Sequence, residues 1–285
     1  MRRQAAIAGW LLLAALPALA ADARSLLFKP DTRKVLILSG FNNHDWRTTT
    51  PFLREQLERT RRFDVRVEEE PHGITASTLA AYDTVVLDYN GPRLGPETEM
   101  ALMEFVRAGH GLVVVHGASW AFNGLVVLGD HHVRTGIMEP LWPEYRKMIG
   151  GVWSEEEPKT GHGQRHEFTV RIMNRSHPVA RGLPAELRAD DELYHQMRMQ
   201  PGASILATAL DERQFNGTGK EEPVFWTVSY GAGRVFHTIL GHDVRAMQAE
   251  AFLRPFLGGA AWAAGFGDDL ISEIERGTPS GDTRR

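Results

Sequence analysis

The chain has 285 residues, of which 42% are hydrophobic and 24% charged, and a formal net charge of -4 at pH 7. These values describe an ordinary globular protein, and no basic stripe stands out, so a nucleic-acid partner is not expected. Cysteine is absent, which excludes disulfides, thiolate metal ligands, lipoprotein anchoring and a cysteine nucleophile together.

The first segment reads as an address. Met1-Arg2-Arg3 supplies positive charge, residues 5–16 are apolar, and Ala18-Leu19-Ala20 is a small-x-small cleavage site. This is the pattern of a signal peptide over residues 1–20 and implies a periplasmic or secreted protein. An uncleaved anchor is the alternative. The apolar run is short for a membrane span and meets Pro17, so no membrane association is expected after cleavage. One domain is expected over residues 30–267, and residues 268–285 are expected to be a disordered tail.

Residues 34–38 form a short apolar run that ends at Ser39-Gly40 and predict a buried parallel strand. Thr50-Pro51 opens a predicted helix to about Arg62. Strands are predicted at 64–67, 84–87 and 112–115, with a helix from Pro96 stopped by Gly109-His110-Gly111. A short helix is expected at 143–148. Further strands are expected at 167–172, 192–199, 205–209, 224–230 and 234–240, with Tyr230-Gly-Ala-Gly233 as a hairpin turn. Residues 247–264 close the fold as a helix kinked at Pro255. The repeated strand-loop-helix order with fully apolar strands predicts an α/β fold: an open, mostly parallel sheet with helices on both faces. In such sheets ligands bind beyond the carboxyl ends of the strands.

Twelve histidines are present, and several fall at those ends. His44, His116 and His242 follow predicted strands and are the candidate catalytic residues. His162 and His166 flank an intervening loop. These five are the candidate ligands of a divalent metal, since imidazole and carboxylate bind metals or move protons near neutral pH. Asp45 and Asp243 are candidates to orient their neighbours. No tight ligand motif is present, and for each histidine a solvated or packing role is the alternative. Trp46, Trp120, Trp142 and Trp153 lie in or near the same loops, where an aromatic face suits a sugar ring. Trp46 and Trp120, with Asn43, Glu192 and Tyr194, are the candidate substrate contacts; packing is the alternative for the tryptophans. Gly217-Thr-Gly-Lys220 has the wrong spacing for a phosphate loop and reads as a glycine-rich turn. Ser119 lacks the second glycine of a nucleophile elbow.

Several segments taken in order resemble the ThuA (trehalose utilisation) family: Gly40-Phe-Asn-Asn-His-Asp-Trp46, Val115-His-Gly-Ala118, Gly150-Gly-Val-Trp153, Thr160-Gly-His-Gly163 and His177-Pro-Val179. Asp191-Glu-Leu-Tyr194, Gly217-Thr-Gly-Lys-Glu-Glu-Pro-Val224, Gly231-Ala-Gly-Arg-Val-Phe-His-Thr238 and Leu240-Gly-His-Asp243 continue the series. The resemblance covers roughly residues 34–265. It implies a flavodoxin-like, class I glutamine amidotransferase-like fold, with Val115-His116-Gly117 where amidotransferases carry their cysteine. Without cysteine, amidotransferase chemistry is excluded. The resemblance also implies a role in disaccharide metabolism, with a 3-keto glycoside as one candidate substrate for elimination or isomerisation. A non-catalytic sugar-binding protein and a metal-dependent glycoside hydrolase are the competing expectations. Oligomeric state is not legible.

Overall fold

The computed structural model describes residues 27–122, 125–128, 131–134 and 142–276. The expected signal peptide and the last residues of the expected tail lie outside these. Nine strands form the main sheet: β1 Arg33–Leu38, β2 Phe63–Glu68, β3 Thr84–Leu87, β4 Gly111–Val115, β5 His166–Ile172, β6 Glu186–Asp191, β7 Ser204–Leu210, β8 Glu221–Tyr230 and β9 Gly233–Thr238. Their spatial order is β6-β5-β7-β8-β9-β4-β3-β1-β2. The ladders β2/β1, β1/β3, β3/β4 and β4/β9 are parallel. Those joining β9, β8, β7, β5 and β6 are antiparallel. The fold is the expected α/β class, with the parallel half built from the first four strands and β9.

The apolar strands are apolar because both faces are covered. Val35, Ile37, Val86, Val113 and Val115 enter one hydrophobic cluster, and Leu36, Leu38, Val85, Leu87, Leu112 and Val114 enter the other. Successive strand residues point to opposite faces, so one run feeds two cores. Each such side chain contributes roughly 1.5–3 kcal/mol on burial. One cluster includes Leu53 and Leu57 of the Trp46–Arg59 helix and the Glu250–Ala263 helix; the other includes Leu102, Phe105 and Val106 of the Pro96–Arg107 helix. No helix among the described residues is long and apolar enough to cross a membrane.

Several predicted boundaries move. The first helix starts at Trp46 and takes Pro51 inside it. The closing helix divides into Val244–Met247 and Glu250–Ala263, with Pro255 inside the second. Residues 192–199 do not form one strand; Tyr194–His195 pairs with Gly161–His162, and Arg198–Met199 pairs with Gly151–Val152. The edge strand β6 went unpredicted, because its inward positions are Leu187, Ala189 and Asp191, too weakly apolar to give an alternating signal. The hairpin turn at Tyr230-Gly-Ala-Gly233 is present, with Gly231 at φ +62° and Tyr230 opposite Gly233.

The tail does not begin at residue 268. Asp268–Glu275 is a helix with two acidic residues in its first turn, and Ile271 and Ile274 are buried against the rest of the chain. Ile274 lies four residues beyond Leu270 and three beyond Ile271, spacings that put the three on one helix face. Its last residue, Glu275, is 1% exposed, and neither carboxylate oxygen has a hydrogen-bond partner among the described residues. Burial pushes this carboxyl up to about 8 from 4.5, against the pull of Arg254 and Arg276. Between those two pH values the folded chain keeps a proton that the unfolded chain has lost. Stability therefore falls as pH rises from about 4.5 to about 8. Glu275→Gln cannot ionise. Its stability relative to the parent should rise across that window by on the order of 3 kcal/mol, measured by urea denaturation at pH 5 and pH 9. A constant difference would contradict this account of Glu275.

Candidate functional site

Four strand ends of the parallel half meet at one edge. β1 delivers the turn that carries Asn42, Asn43 and His44. β3 delivers Asp88 and Asn90, β4 delivers His116, and β9 delivers Ile239 and His242. From the antiparallel half, the end of β6 adds Asp191, Glu192 and Tyr194. The sequence reading placed the site here, and His44, His116 and His242 do converge. The ring centroids of His44 and His116 are 4.5 Å apart, those of His44 and His242 4.9 Å, and those of His116 and His242 5.6 Å.

His116 stands where the chain leaves β4 and turns with φ +44°. A non-glycine residue in this left-handed region costs roughly 1–2 kcal/mol, so the surroundings must hold it. They do: His116 is 2% exposed, and its Nδ1 lies 2.6 Å from the carbonyl oxygen of Ile239. A carbonyl only accepts, so Nδ1 carries the hydrogen and Nε2 the lone pair. The Tyr194 hydroxyl donates to that Nε2 at 2.8 Å. Burial, aided by His44, His242 and His162, holds the His116 imidazole well below its ordinary pKa, against the Ile239 hydrogen bond. It is neutral at pH 7. Burial likewise raises the Tyr194 hydroxyl.

His44 is fixed by a similar argument. Its Nδ1 lies 2.9 Å from Asn42 Oδ1, which also accepts from the His44 backbone N–H at 3.0 Å. His44 Nε2 then faces His116 Nε2 at 3.2 Å. Above this pair lies a more open layer. His242 Nε2 and His162 Nε2 face the two oxygens of Glu192 at 3.8 and 3.7 Å. Trp153 packs edge-on against Tyr194 at 4.9 Å and lies beside His162 at 6.2 Å. Asp191 is buried beneath and accepts the backbone N–H groups of Gly241 and Glu192 at 2.7 and 2.8 Å. It ties the loop after β6 to the loop after β9, and burial pushes its carboxyl up to about 7.

Other expected residues lie elsewhere. His166 stacks on Phe215 at 3.9 Å, and its Nδ1 donates to the Gln164 carbonyl. It starts β5 and packs there because its ring covers an aromatic face. Trp46 lies under the Arg47 guanidinium at 4.4 Å and lines a separate groove with Pro51, Arg54 and Val67, because it opens the helix and turns away from the strand ends. Trp120 is buried, with its ring 6.1 Å from Trp153. Trp153 rather than Trp120 is therefore the half-buried aromatic beside Tyr194. Asn43 is exposed and bonded to Asn90 by backbone and side chain. Asp45 and Asp243 do not orient the histidines. Asp45 accepts from Thr48, while Asp243 caps the Val244–Met247 helix and is paired with Arg165 at 2.6 Å, leaving it 3.9 Å from His242. The amides of the Gly217–Lys220 turn serve Asp211: Thr218 N–H meets its carboxylate and Gly219 N–H its carbonyl, beside His195. A carboxylate already fills the place an anion would take.

Among the described residues no group of three His, Asp or Glu side chains converges closely enough to hold a metal ion. The two Nε2 atoms alone would fit one edge of a tetrahedral site, where ligands about 2.0–2.1 Å from the metal sit about 3.3 Å apart. A third ligand is not in place, so the donor set is incomplete. Asn42 and the Ile239 carbonyl went unrecognised in the sequence. Asn42 had a signal: asparagine two residues before His44 makes an Asx turn with its N–H. A backbone carbonyl carries no residue-type signal at all.

Gly117 must stay small. A Cβ there would lie 2.9 Å from His44 Nδ1 and 3.0 Å from Asn90 Nδ2. Gly117→Ala should displace the His44 ring, shift its NMR ring-proton resonances and cost about 1–3 kcal/mol. Gly267→Ala, where nothing lies within 4 Å, should stay within about 0.5 kcal/mol of the parent. Unmoved His44 resonances in Gly117→Ala would contradict the packing described.

Comparison with known proteins gives the same picture. The family profile described as trehalose utilisation, ThuA, matches residues 34–263. A ThuA-like protein from Parabacteroides merdae superposes with a TM-score of 0.69 at 34% identity, covering 82% of this chain and 90% of that one. A ThuA-like protein from Bacteroides uniformis gives 0.57 at 18% identity over 81% and 94% of the two chains. A cold-adapted β-galactosidase from Rahnella sp. R3 gives 0.54 at 19% identity, covering 87% of this chain but 33% of that one, a likeness of fold alone. No curated protein matches the sequence. The sheet, the ordered motifs around its strand ends and the extent of the match agree that this chain belongs to the ThuA family.

Proposed function

We propose that the protein acts in carbohydrate metabolism on an oxidised glycoside, by proton transfer at the His44–His116 pair. The observation that carries this reading is the facing of two Nε2 atoms at 3.2 Å while both Nδ1 atoms are bonded to carbonyl oxygens. The Tyr194 hydroxyl already donates to His116 Nε2 at 2.8 Å, so His44 Nε2 is the nitrogen of the pair placed to take up a proton. His116 is buried and neutral, so the transferable proton resides on the half-buried His44, which faces the open layer.

A carbonyl at C3 of a sugar acidifies the hydrogen on C2. His44 Nε2 takes that proton, and its electron pair enters the C2–C3 bond as an enolate with charge on the C3 oxygen. Collapse of the enolate expels the C1 oxygen, whose leaving group takes up a proton; elimination is complete and no water is consumed. Reprotonation at another carbon would give isomerisation. Trp153, Glu192 and His162 supply an aromatic edge and polar groups beside the pair, as a sugar ring requires. Residues 1–20 support export to the periplasm or exterior.

The test is to incubate the protein with a 3-keto disaccharide in D2O with EDTA present, following deuterium at C2 and release of the C1 group. Turnover is expected, with His44→Ala slower by at least about 100-fold. Because His116 is held well below 6.5, the rate should not fall through loss of its neutral form anywhere near pH 7. Binding without exchange or release would identify a sugar-binding protein. Cleavage of the unoxidised disaccharide, abolished by EDTA, would identify a metal-dependent hydrolase. Either result overturns the proposal.

A further inference from the structure

We infer that Asp88, acting through the Asn42 amide, sets the tautomer of His44 and is a positioning residue of the site. The argument is donor and acceptor bookkeeping. Asp88 lies at the end of β3, 3% exposed. Its Oδ2 accepts from the hydroxyls of Thr49 and Thr50, each at 2.8 Å, and its Oδ1 faces Asn42 Nδ2 at 3.1 Å. Oδ2 is the oxygen shared by both threonines, so the ionised carboxylate offers Oδ1 as an acceptor to Asn42. An acceptor at that place requires the amide nitrogen of Asn42, which turns the amide oxygen to the other side.

On that side stand the backbone N–H of His44 at 3.0 Å and the His44 ring Nδ1 at 2.9 Å. The backbone N–H can only donate, which agrees with the orientation that Asp88 imposes. The ring nitrogen facing the same oxygen must carry hydrogen. His44 thus presents the Nε2 lone pair to His116 Nε2 and to the open layer. If the Asn42 amide flipped, Nδ1 would face an NH2 group and give up its hydrogen. Nε2 would then become the N–H and could not accept a proton. Asp88 is two hydrogen bonds away from His44 and does not touch it, yet together with the His44 backbone N–H it fixes which nitrogen is basic.

The bearing on chemistry rests on the proton-transfer reading; the tautomer does not. The test is a long-range 1H–15N correlation spectrum of the full chain labelled with 15N-histidine. In the parent protein near pH 8, His44 should show Nδ1–H and an unprotonated Nε2. In Asn42→Ala and Asp88→Leu the Nε2–H form should rise to at least about a tenth of the population. Asp88→Asn keeps a carbonyl for the Asn42 amide and should restore the parent pattern. An Nε2–H tautomer in the parent overturns the inference without any variant having to fold. An unchanged spectrum in Asn42→Ala overturns it as well. A shifted tautomer with unchanged turnover of the 3-keto disaccharide would uphold the role of Asp88 and instead remove His44 as the base.

Discussion

His116 is held in a left-handed turn where β4 ends, at φ +44°, with its Nδ1 bonded to the carbonyl of Ile239. Almost everything else at the site follows from this. The turn aims the imidazole back over the sheet edge. The carbonyl, carried by the neighbouring strand β9, decides which ring nitrogen is left to act. His44 then has a fixed partner, and Tyr194 has a fixed acceptor. The parallel pairing of β4 with β9, which places Thr238 opposite Val115, brings Ile239 beside His116.

The two halves of the sheet do different work. The parallel half supplies the His44–His116 pair and its supports, Asn42, Asp88 and Ile239. The antiparallel half supplies the more open layer, Glu192 and His162, and closes it with Tyr194 and Trp153. Asp191 joins the halves, since it bonds both the Glu192 amide and the Gly241 amide beside His242. A site built across this seam depends on β6 and the Tyr194–His195 ladder, elements with little hydrophobic signal of their own.

This explains what could be read beforehand. Runs such as Leu112–Val115 are apolar on both faces, so the parallel strands and the loops after them were visible in the residue types. His44, His116 and His242 were legible because each follows such a run. The weakly patterned antiparallel elements were not, and 192–199 was read as one strand when it makes two short ladders. His166 and Trp46 were chosen for residue type and place in the chain, yet one stacks on Phe215 and the other lies under Arg47. Charge was a poor guide to the orienting groups. Asp45 and Asp243 are next to the histidines in sequence, but an amide and a backbone carbonyl hold the rings. The helix Asp268–Glu275 was legible in its Leu270, Ile271, Ile274 spacing and was passed over for its polar surroundings.

The central claim is that His116 is a buried, neutral imidazole locked with hydrogen on Nδ1 and its Nε2 lone pair held by the Tyr194 hydroxyl beside His44. An NMR titration of the His116 ring in the unmodified protein from pH 4.5 to pH 9 tests it most directly. The account predicts a single neutral Nδ1–H form throughout the neutral range, with any change confined to the acid end. A His116 ring that titrates near 6.5, as a solvated imidazole does, or that carries hydrogen on Nε2, would contradict it.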